Sequence, residues 1–149
     1  TTMRQHLETI RVEIERIAKA LERFGERFLA HIYTPAEVDH CRGRVAELAA
    51  RFAAKGAISK ALGTGIRGLT WREMEILQDG RGKPQVRLYG RARARAEELG
   101  LEEFAISLSH SEEYAVAMVV ARGDDNLPGR TDPAARSPSG EACGGDRGG

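Results

Sequence analysis

The chain has 149 residues, with 23 lysines and arginines against 22 aspartates and glutamates, so its formal net charge at neutral pH is +1. This length predicts a single domain with a buried core, and the balanced charge excludes a polycation that binds nucleic acid over its whole surface. The two cysteines, Cys41 and Cys143, are far apart, which argues against a disulfide framework and favours a reducing compartment. No stretch has the length and apolarity of a membrane span or the pattern of a signal peptide, so we expect a cytoplasmic protein that does not enter a membrane.

The first predicted element is a strand over Leu7–Val12, which is rich in residues of the β-forming type. The two-residue repeat of a strand would place Glu8, Ile10 and Val12 on one face. Residues 1–6 are polar and are expected to lie outside regular structure.

A helix is predicted from Glu13 to about Phe24, because apolar residues recur there at helical spacing. Its outer face carries three cations, Arg16, Lys19 and Arg23. From the residues alone, two interpretations stay open. Most charged helix faces are simply solvated, and the alternative is that this face binds an acidic partner.

A capping box then predicts the start of a short helix. Thr34 is suited to the N-cap, Pro35 to the first helical position and Glu37 to the third. Gly43 ends this helix, and the spacing of apolar residues predicts a longer one over about 44–62.

The end of the long helix is the most informative stretch of the sequence. Arg51 and Lys55 lie four residues apart and share a face, and Lys60 precedes the loop Gly63-Thr64-Gly65. Glycines let backbone N–H groups approach a ligand closely, and cations beside such donors are typical of a phosphate site. Gly56 is out of place here, because glycine in a helix interior costs about 1 kcal/mol relative to alanine.

The second half of the chain is predicted to contain more strands. Trp71–Leu77 and Gln85–Tyr89 form a hairpin, since a turn-rich segment separates them. A surface helix over Gly90–Leu99 follows, and its arginines are not interpreted as a nucleic-acid patch. Two further strands are predicted over Phe104–His110 and Tyr114–Ala121, and the second is apolar on both faces, as a central strand would be.

His110 stands at the end of a predicted strand, behind two serines of the same face. A single histidine is most often structural, while its place at a strand end would suit a functional role. Residues 123–149 are rich in glycine, proline and charged residues, so we expect a disordered tail behind a domain that spans residues 1–122.

Six segments stand in a fixed order along the chain: Val12–Ile17, Phe24–Leu29, Tyr33–Glu37, Arg51–Gly65, Gly82–Pro84 and Ser107–His110. Together they resemble the short holo-acyl-carrier-protein synthases, the 4′-phosphopantetheinyl transferases of bacterial fatty-acid synthesis. The resemblance implies an α+β fold of the phosphopantetheinyl-transferase type, in which a small antiparallel sheet packs with one long helix and shorter helices. It also implies a homotrimer with active sites between subunits.

The activity implied by the resemblance is the transfer of 4′-phosphopantetheine from coenzyme A to a serine of apo-acyl carrier protein. Adenosine 3′,5′-bisphosphate is released, and Mg²⁺ bridges the pyrophosphate. The family's catalytic roles fall on Lys60 and His110. The implied coenzyme A-binding residues are Arg51, Lys55, Lys60, Gly63, Thr64, Gly65 and His110. The resemblance favours the docking interpretation of the cationic helix face, with acyl carrier protein as the partner of Arg16, Lys19 and Arg23.

The sequence departs from the family pattern at both acidic metal ligands, whose positions fall on Ile10 and Gly56. Mg²⁺ prefers oxygen ligands, which neither side chain offers. Three interpretations are open. The chain is a catalytically impaired homologue that binds coenzyme A or acyl carrier protein without efficient turnover, its ligands have moved to Glu8 or Glu13, or the pyrophosphate and water hold the metal.

Overall fold

The computed structural model describes residues 3–65 and 67–124 of the chain. The elements, in chain order, are β1 (Met3–Glu13), α1 (Ile14–Phe24), α2 (Glu26–Ile32), α3 (Pro35–Cys41), α4 (Val45–Ala61), β2 (Met74–Gln78), β3 (Pro84–Leu88), α5 (Gly90–Leu99), β4 (Glu103–His110) and β5 (Tyr114–Asp124). The fold is α+β, as predicted, with a three-stranded antiparallel sheet ordered β1-β5-β4 and a separate β2-β3 hairpin. Within these two described stretches, no helix is both long and apolar enough to cross a membrane.

Helix α4 lies across one face of the three-stranded sheet. Ala117 and Val119 of the central strand β5 lie in one core cluster with Ala53 and Ala57 of α4, and all four are fully buried. Small side chains on both surfaces allow the helix to pack closely against the sheet. This contact fixes α4 and therefore the position of every candidate residue that α4 carries.

The opposite face of the same sheet carries exposed apolar side chains among polar ones. Along β1 the side chains alternate as predicted, with Glu8, Ile10 and Val12 turned toward α4 and partly buried. On the other side, Leu7 is 61% exposed and Met118 of the central strand is 44% exposed. Large apolar side chains left exposed on a sheet face make this face a candidate interaction surface.

The strands differ from the sequence prediction at their ends. Strand β1 begins at Met3, because it pairs with the end of β5 in the register Met3↔Asp124. Part of the segment expected to be irregular is therefore strand. Likewise Trp71–Glu73 forms a short 3₁₀ turn, and β2 begins only at Met74.

Regular structure also extends past the predicted end of the domain. Gly123 and Asp124 close β5, and a Cβ on Gly123 would lie 1.7 Å from the carbonyl oxygen of Gly100. Only glycine fits such a close backbone approach, so this residue belongs to the strand despite its loop-like composition. The remainder of the expected tail, residues 125–149, lies outside the described residues.

The predicted capping box at α3 is confirmed. The Thr34 hydroxyl accepts from the backbone N–H of Glu37, and the Glu37 carboxylate accepts from the N–H of Thr34. The hydroxyl also donates to Glu75 of β2 over 2.6 Å, so the cap joins α3 to the hairpin. Cys41, at the end of α3, is a buried free thiol, and Cys143 lies outside the described residues.

Candidate functional site

Lys55, a predicted phosphate ligand, is completely buried inside the domain. Its ammonium group donates to the Glu37 carboxylate over 2.8 Å, to the carbonyl of Trp71 over 3.0 Å and to the carbonyl of Met74. These contacts use all three donors of a lysine. Burial lowers the pKa of Lys55, and the Glu37 carboxylate opposes that shift. Lys55 therefore joins α4 to α3 and the hairpin, and its role as a coenzyme A phosphate ligand stays a prediction.

Arg51 lies one helical turn earlier and is equally buried. Its Nε donates to the carbonyl of Ile76 over 3.1 Å, and its Nη1 pairs with the Glu47 carboxylate over 2.7 Å. Its Nη2 is also buried and has no hydrogen-bond partner among the described residues. Arg51 is thus a core residue that holds the hairpin against α4, and its role as a coenzyme A ligand stays a prediction.

The glycine loop at the end of α4 is a helix cap. The N–H of Gly63 donates to the carbonyl of Lys60 over 2.9 Å, and the N–H groups of Thr64 and Gly65 both donate to the carbonyl of Ser59, over 3.3 and 3.1 Å. These bonds satisfy carbonyls that a helix end leaves without partners. Because the three donors are engaged and a helix C-terminus carries partial negative charge, the predicted cradle of free backbone N–H groups is absent.

Lys60 is the cation of α4 that reaches solvent. Its side chain is exposed, in contrast to those of Arg51 and Lys55. A lysine in the last turn is also favourably placed in the field of the helix. Of the predicted phosphate ligands on α4, Lys60 alone is free to meet an anion that arrives from solvent.

Ile10 and Gly56, the two positions where the family pattern has carboxylates, face each other. A Cβ built on Gly56 would lie 3.8 Å from both Cγ1 and Cγ2 of Ile10. Strand β1 and helix α4 therefore bring together the positions that the resemblance pairs. The residues that occupy them offer a metal no oxygen, and within residues 3–65 and 67–124 no three His, Cys, Asp or Glu side chains are grouped to hold an ion.

Neither predicted substitute ligand changes this picture. Glu8 shares the inward face of β1 with Ile10, as predicted, but no acidic group of the described residues joins it in a metal-binding cluster. Glu13 is exposed at the N-cap of α1 and has the opposite strand parity, so it points away from Ile10. The side chains present do not fit a Mg²⁺ site between β1 and α4.

His110 lies in a cleft at the other end of α4. The side chain is exposed, and the cleft, of about 310 Å³, also contains part of the Gly82–Pro84 segment. Its lining residues are Glu47, Ala50, Gln78, Gly82, Pro84, Leu108, Ser109 and His110. Glu47 and Lys60 are thirteen residues apart on one helix. At 1.5 Å per residue, the α4 residues that line the His110 cleft, Glu47 and Ala50, lie about 15–20 Å along the helix axis from Lys60.

The predicted docking face of α1 is open to solvent. Arg16, Lys19 and Arg23 are all exposed, and the guanidinium of Arg23 lies 5.2 Å from the ring centre of Phe24, which is itself 46% exposed. Lys19 pairs with Glu15 over 3.7 Å, but both side chains are more than 70% exposed. Such a pair contributes little to stability and exchanges easily for another partner. The surface therefore combines mobile cations with one exposed aromatic ring.

A wider cleft, of about 790 Å³, holds none of the predicted site residues. Its lining residues are Ala30, His31, Thr34, Pro35, Leu69, Thr70, Trp71, Arg72, Glu73, Glu75 and Tyr89. Trp71 is stacked on Phe52 of α4 at 4.7 Å, and Tyr89 donates to Glu75 over 2.8 Å. The sequence signal for this cleft was weak, because its residues come from four separate segments.

The chain matches one known protein family over most of its length. Residues 11–119 match the model of the 4′-phosphopantetheinyl transferase superfamily. The chain belongs to this superfamily, which confirms the resemblance drawn from the ordered motifs.

Individual relatives of the chain carry a more specific name than the superfamily does. The chain is 46% identical over 119 residues to a holo-[acyl-carrier-protein] synthase of Herpetosiphon aurantiacus, covering 75% of this chain and 94% of the relative. It is 50% identical over 111 residues to a protein of the same name from Dehalococcoides mccartyi strain 195, covering 74% and 92%.

Solved structures agree with this assignment. The holo-[acyl-carrier-protein] synthase of Helicobacter pylori in complex with coenzyme A superposes with a TM-score of 0.72 at 29% identity, over 78% of this chain and 99% of that one. The enzyme of Neisseria meningitidis superposes with a TM-score of 0.70 at 39% identity, over 77% and 95%.

Proposed function

We propose that this protein transfers 4′-phosphopantetheine from coenzyme A to a serine of apo-acyl carrier protein in the cytoplasm, as a step of fatty-acid biosynthesis. The observation that carries the proposal is the 46–50% identity to holo-[acyl-carrier-protein] synthases over most of their length. The exposed Lys60 and the cationic surface of α1 support it, since the enzyme must bind two anionic substrates, the diphosphate of coenzyme A and an acidic carrier protein.

The chemistry is an in-line displacement at phosphorus. The serine oxygen forms a bond to the β-phosphorus of coenzyme A, the bond from that phosphorus to the nucleotide phosphate breaks, and adenosine 3′,5′-bisphosphate leaves while the serine proton is released. Such transfers depend mainly on positioning and on neutralising charge. Lys60 would neutralise charge on the diphosphate, and His110 would contact the nucleotide. No step is assigned to a metal, because Ile10 and Gly56 provide no ligands for one.

The separation of Lys60 from His110 supports a site shared between subunits. A separation of about 15–20 Å along α4 is comparable to the combined reach of the two side chains and a diphosphate-linked nucleotide, so it favours a shared site without requiring one. A homotrimer that packs the exposed face of the three-stranded sheet against a neighbour would cover Leu7 and Met118 and could bring Lys60 of one copy to His110 of the next. Mixing Lys60→Ala with His110→Ala protein tests this arrangement. Mixed oligomers should regain activity that neither variant has alone, and the absence of any gain after verified subunit exchange would refute a shared site.

Acyl carrier protein would dock on α1. Replacing Arg16 or Lys19 by Glu should raise the KM for the carrier protein, because a favourable charge pair becomes repulsive. The affinity for coenzyme A should stay unchanged. Arg93→Glu, on an exposed face of α5, is the matched control for the change of net charge. Equal effects of the α1 and α5 variants would remove α1 as the docking site.

The direct test of activity is the conversion of apo- to holo-acyl carrier protein, followed as a mass increase by mass spectrometry with coenzyme A and Mg²⁺ present. The expected result is an increase equal to one phosphopantetheine on the substrate serine. A carrier protein that keeps its apo mass at high enzyme concentration would refute the proposal.

The contact between Ile10 and Gly56 motivates one alternative, an impaired homologue that binds its substrates without efficient turnover. The double variant Ile10→Asp with Gly56→Glu decides between the two, and each single variant is its control. A Cβ at position 56 meets Ile10 only at van der Waals distance, and Ile10→Asp shortens the side chain that faces it. A large rate gain in the double variant supports impairment of the parent, and a parent that is already equally fast excludes it.

A further inference from the structure

Arg95 of α5 reaches the cap at the end of α4. Its Nε donates to the carbonyl of Leu62 over 2.9 Å, and its Nη2 lies 3.5 Å from the place that a Cβ on Gly63 would take. Its Nη1 pairs with Glu98 over 2.9 Å, and the side chain is 31% exposed. Helix α5, interpreted from the sequence as a plain surface helix, thus delivers a guanidinium to the loop that follows Lys60.

The cap explains why a cation is useful at this place. The carbonyls at a helix C-terminus carry partial negative charge, and a guanidinium bonded to one of them offsets it. The loop N–H groups are engaged with Ser59 and Lys60, so they are not available to an anion. An anion that binds at this cap cannot use the N–H groups of Gly63, Thr64 and Gly65, and Gly63, bonded to the carbonyl of Lys60, places the backbone of Lys60 and the guanidinium of Arg95 beside the same turn.

Arg95 keeps the capacity to bind a second group. Arginine has five N–H donors in a planar fork, and the contacts to Leu62 and Glu98 use two of them. The fork suits the paired oxygens of a phosphate better than the point charge of a lysine does. The absence of carboxylates at Ile10 and Gly56 further reduces the negative charge that a diphosphate meets at this end of the helix.

We propose that Arg95 is a substrate-binding residue that, together with Lys60, holds the diphosphate of coenzyme A. This assignment rests on the proposed function and adds a phosphate ligand that neither the motifs nor the periodicity of the sequence indicated. Arg95 supplies the phosphate hydrogen bonds that the sequence analysis expected from the loop N–H groups. Its bond to the carbonyl of Leu62 orients the guanidinium toward the loop.

The test is calorimetric titration of the full chain with coenzyme A, with and without Mg²⁺. Loss of a charge-assisted contact at a partly exposed site predicts that Arg95→Gln binds coenzyme A about tenfold more weakly than the parent. Arg95→Lys should recover part of that loss. Arg93→Gln is the matched control, because Arg93 lies on the same helix and pairs with Glu97 over 3.3 Å, and it should bind like the parent.

A second pair of variants separates binding from support of the fold. Glu98→Gln removes the carboxylate that competes for the Arg95 guanidinium, so it should tighten coenzyme A binding by about twofold to threefold. Glu97→Gln, which frees Arg93 instead, should not. The affinity of Arg95→Gln should also depend less steeply on salt concentration than that of the parent. A residue that only caps α4 would produce neither tighter binding in Glu98→Gln nor a changed salt dependence.

The outcomes separate this inference from the proposed function. If the parent and Arg93→Gln bind coenzyme A and a folded Arg95→Gln binds it equally well, the role of Arg95 is refuted while the proposed function stands. Weaker binding in Glu98→Gln also refutes it. If the parent does not bind coenzyme A with or without Mg²⁺, the proposed function and the inference fail together. Circular dichroism of each variant establishes that it is folded.

Discussion

The buried pair of Glu37 and Lys55 allows a quantitative prediction about stability. Both side chains have no exposed surface, and the Glu37 carboxylate accepts three hydrogen bonds, from Lys55, from the N–H of Thr34 and from the N–H of Ile76. In Glu37→Gln, the amide nitrogen must face one of these donors whichever way it turns. One buried donor then loses its acceptor, and the Lys55 charge loses its counter-charge.

Removing one partner of a buried ion pair costs about 3–5 kcal/mol, a large share of the about 5–15 kcal/mol by which a typical domain is stable. We therefore expect Glu37→Gln to lower the free energy of unfolding by about 3–5 kcal/mol in urea titrations and to lower the Tm by about 10 °C or more. The matched control is Glu47→Gln, which removes the partner of buried Arg51. Glu47 is 28% exposed, so water can replace it, and the expected loss is about 1 kcal/mol.

A double-mutant cycle completes this test. Lys55→Met removes the charge but leaves the carbonyls of Trp71 and Met74 without their donor, so it is also destabilising. The double variant Glu37→Gln with Lys55→Met no longer buries an unpaired charge and should lose less stability than the sum of the single variants. A Glu37→Gln protein within about 1 kcal/mol of the parent, or strictly additive losses, would refute the view that Lys55 is held as a buried ion pair.

Three further predictions concern single positions. Gly56→Ala should raise the free energy of unfolding by up to about 1 kcal/mol, because the new Cβ finds only van der Waals contact, and a destabilised variant would contradict the packing described here. Thr34→Ala should lower it by about 1–2 kcal/mol through loss of the cap and of the bond to Glu75, whereas Thr34→Ser should restore most of it. The pKa of Asp79 should lie below the usual carboxyl value in a carboxyl NMR titration, because the backbone N–H of Lys83 donates to it. A carboxyl with a lowered folded-state pKa stabilises the fold above its unfolded-state pKa, so this contribution is lost as the pH falls through the folded-state value, and Asp79→Asn should remove that part of the pH dependence.

The sequence predicts the elements of this fold well where the local pattern and the tertiary environment agree. The two-residue alternation of β1 matches its half-buried position, and the continuous apolar run of β5 matches a central strand. The segment at Trp71 was misassigned because aromatic and apolar residues there favour a strand. In the structure Glu73 instead accepts from the N–H of Ala92 at the start of α5, and the turn around Trp71 follows from this tertiary contact.

For the candidate site, the sequence predicts which residues share a helix face but not how deeply that face is buried. Helical spacing shows that Arg51 and Lys55 lie on one face, but it does not show whether that face meets solvent. The alanines on either side of Lys55 were the available signal, since a helix that is apolar all round is buried all round. In the same way, a glycine pair behind a helix indicates a C-cap before it indicates an anion site.

The cations of α4 therefore fall into two groups, buried and exposed, although all of them belong to the same sequence motif. Arg51 and Lys55 lie where α4 crosses the sheet and the hairpin, and their charges are satisfied by carboxylates of the same chain. Lys60 lies on the exposed side of the last turn of α4, one turn after Gly56, which faces Ile10, and there the helix ends in a cap whose donors are already engaged. The proposed anion ligands at that end are the side chains of Lys60 and Arg95, while the residues of α4 that line the His110 cleft lie about 15–20 Å away along the same helix. The length of α4 thus bears on the mechanism, because the proposed reaction uses Lys60 and His110 together, and mixing the two single variants decides whether one copy of the chain supplies both.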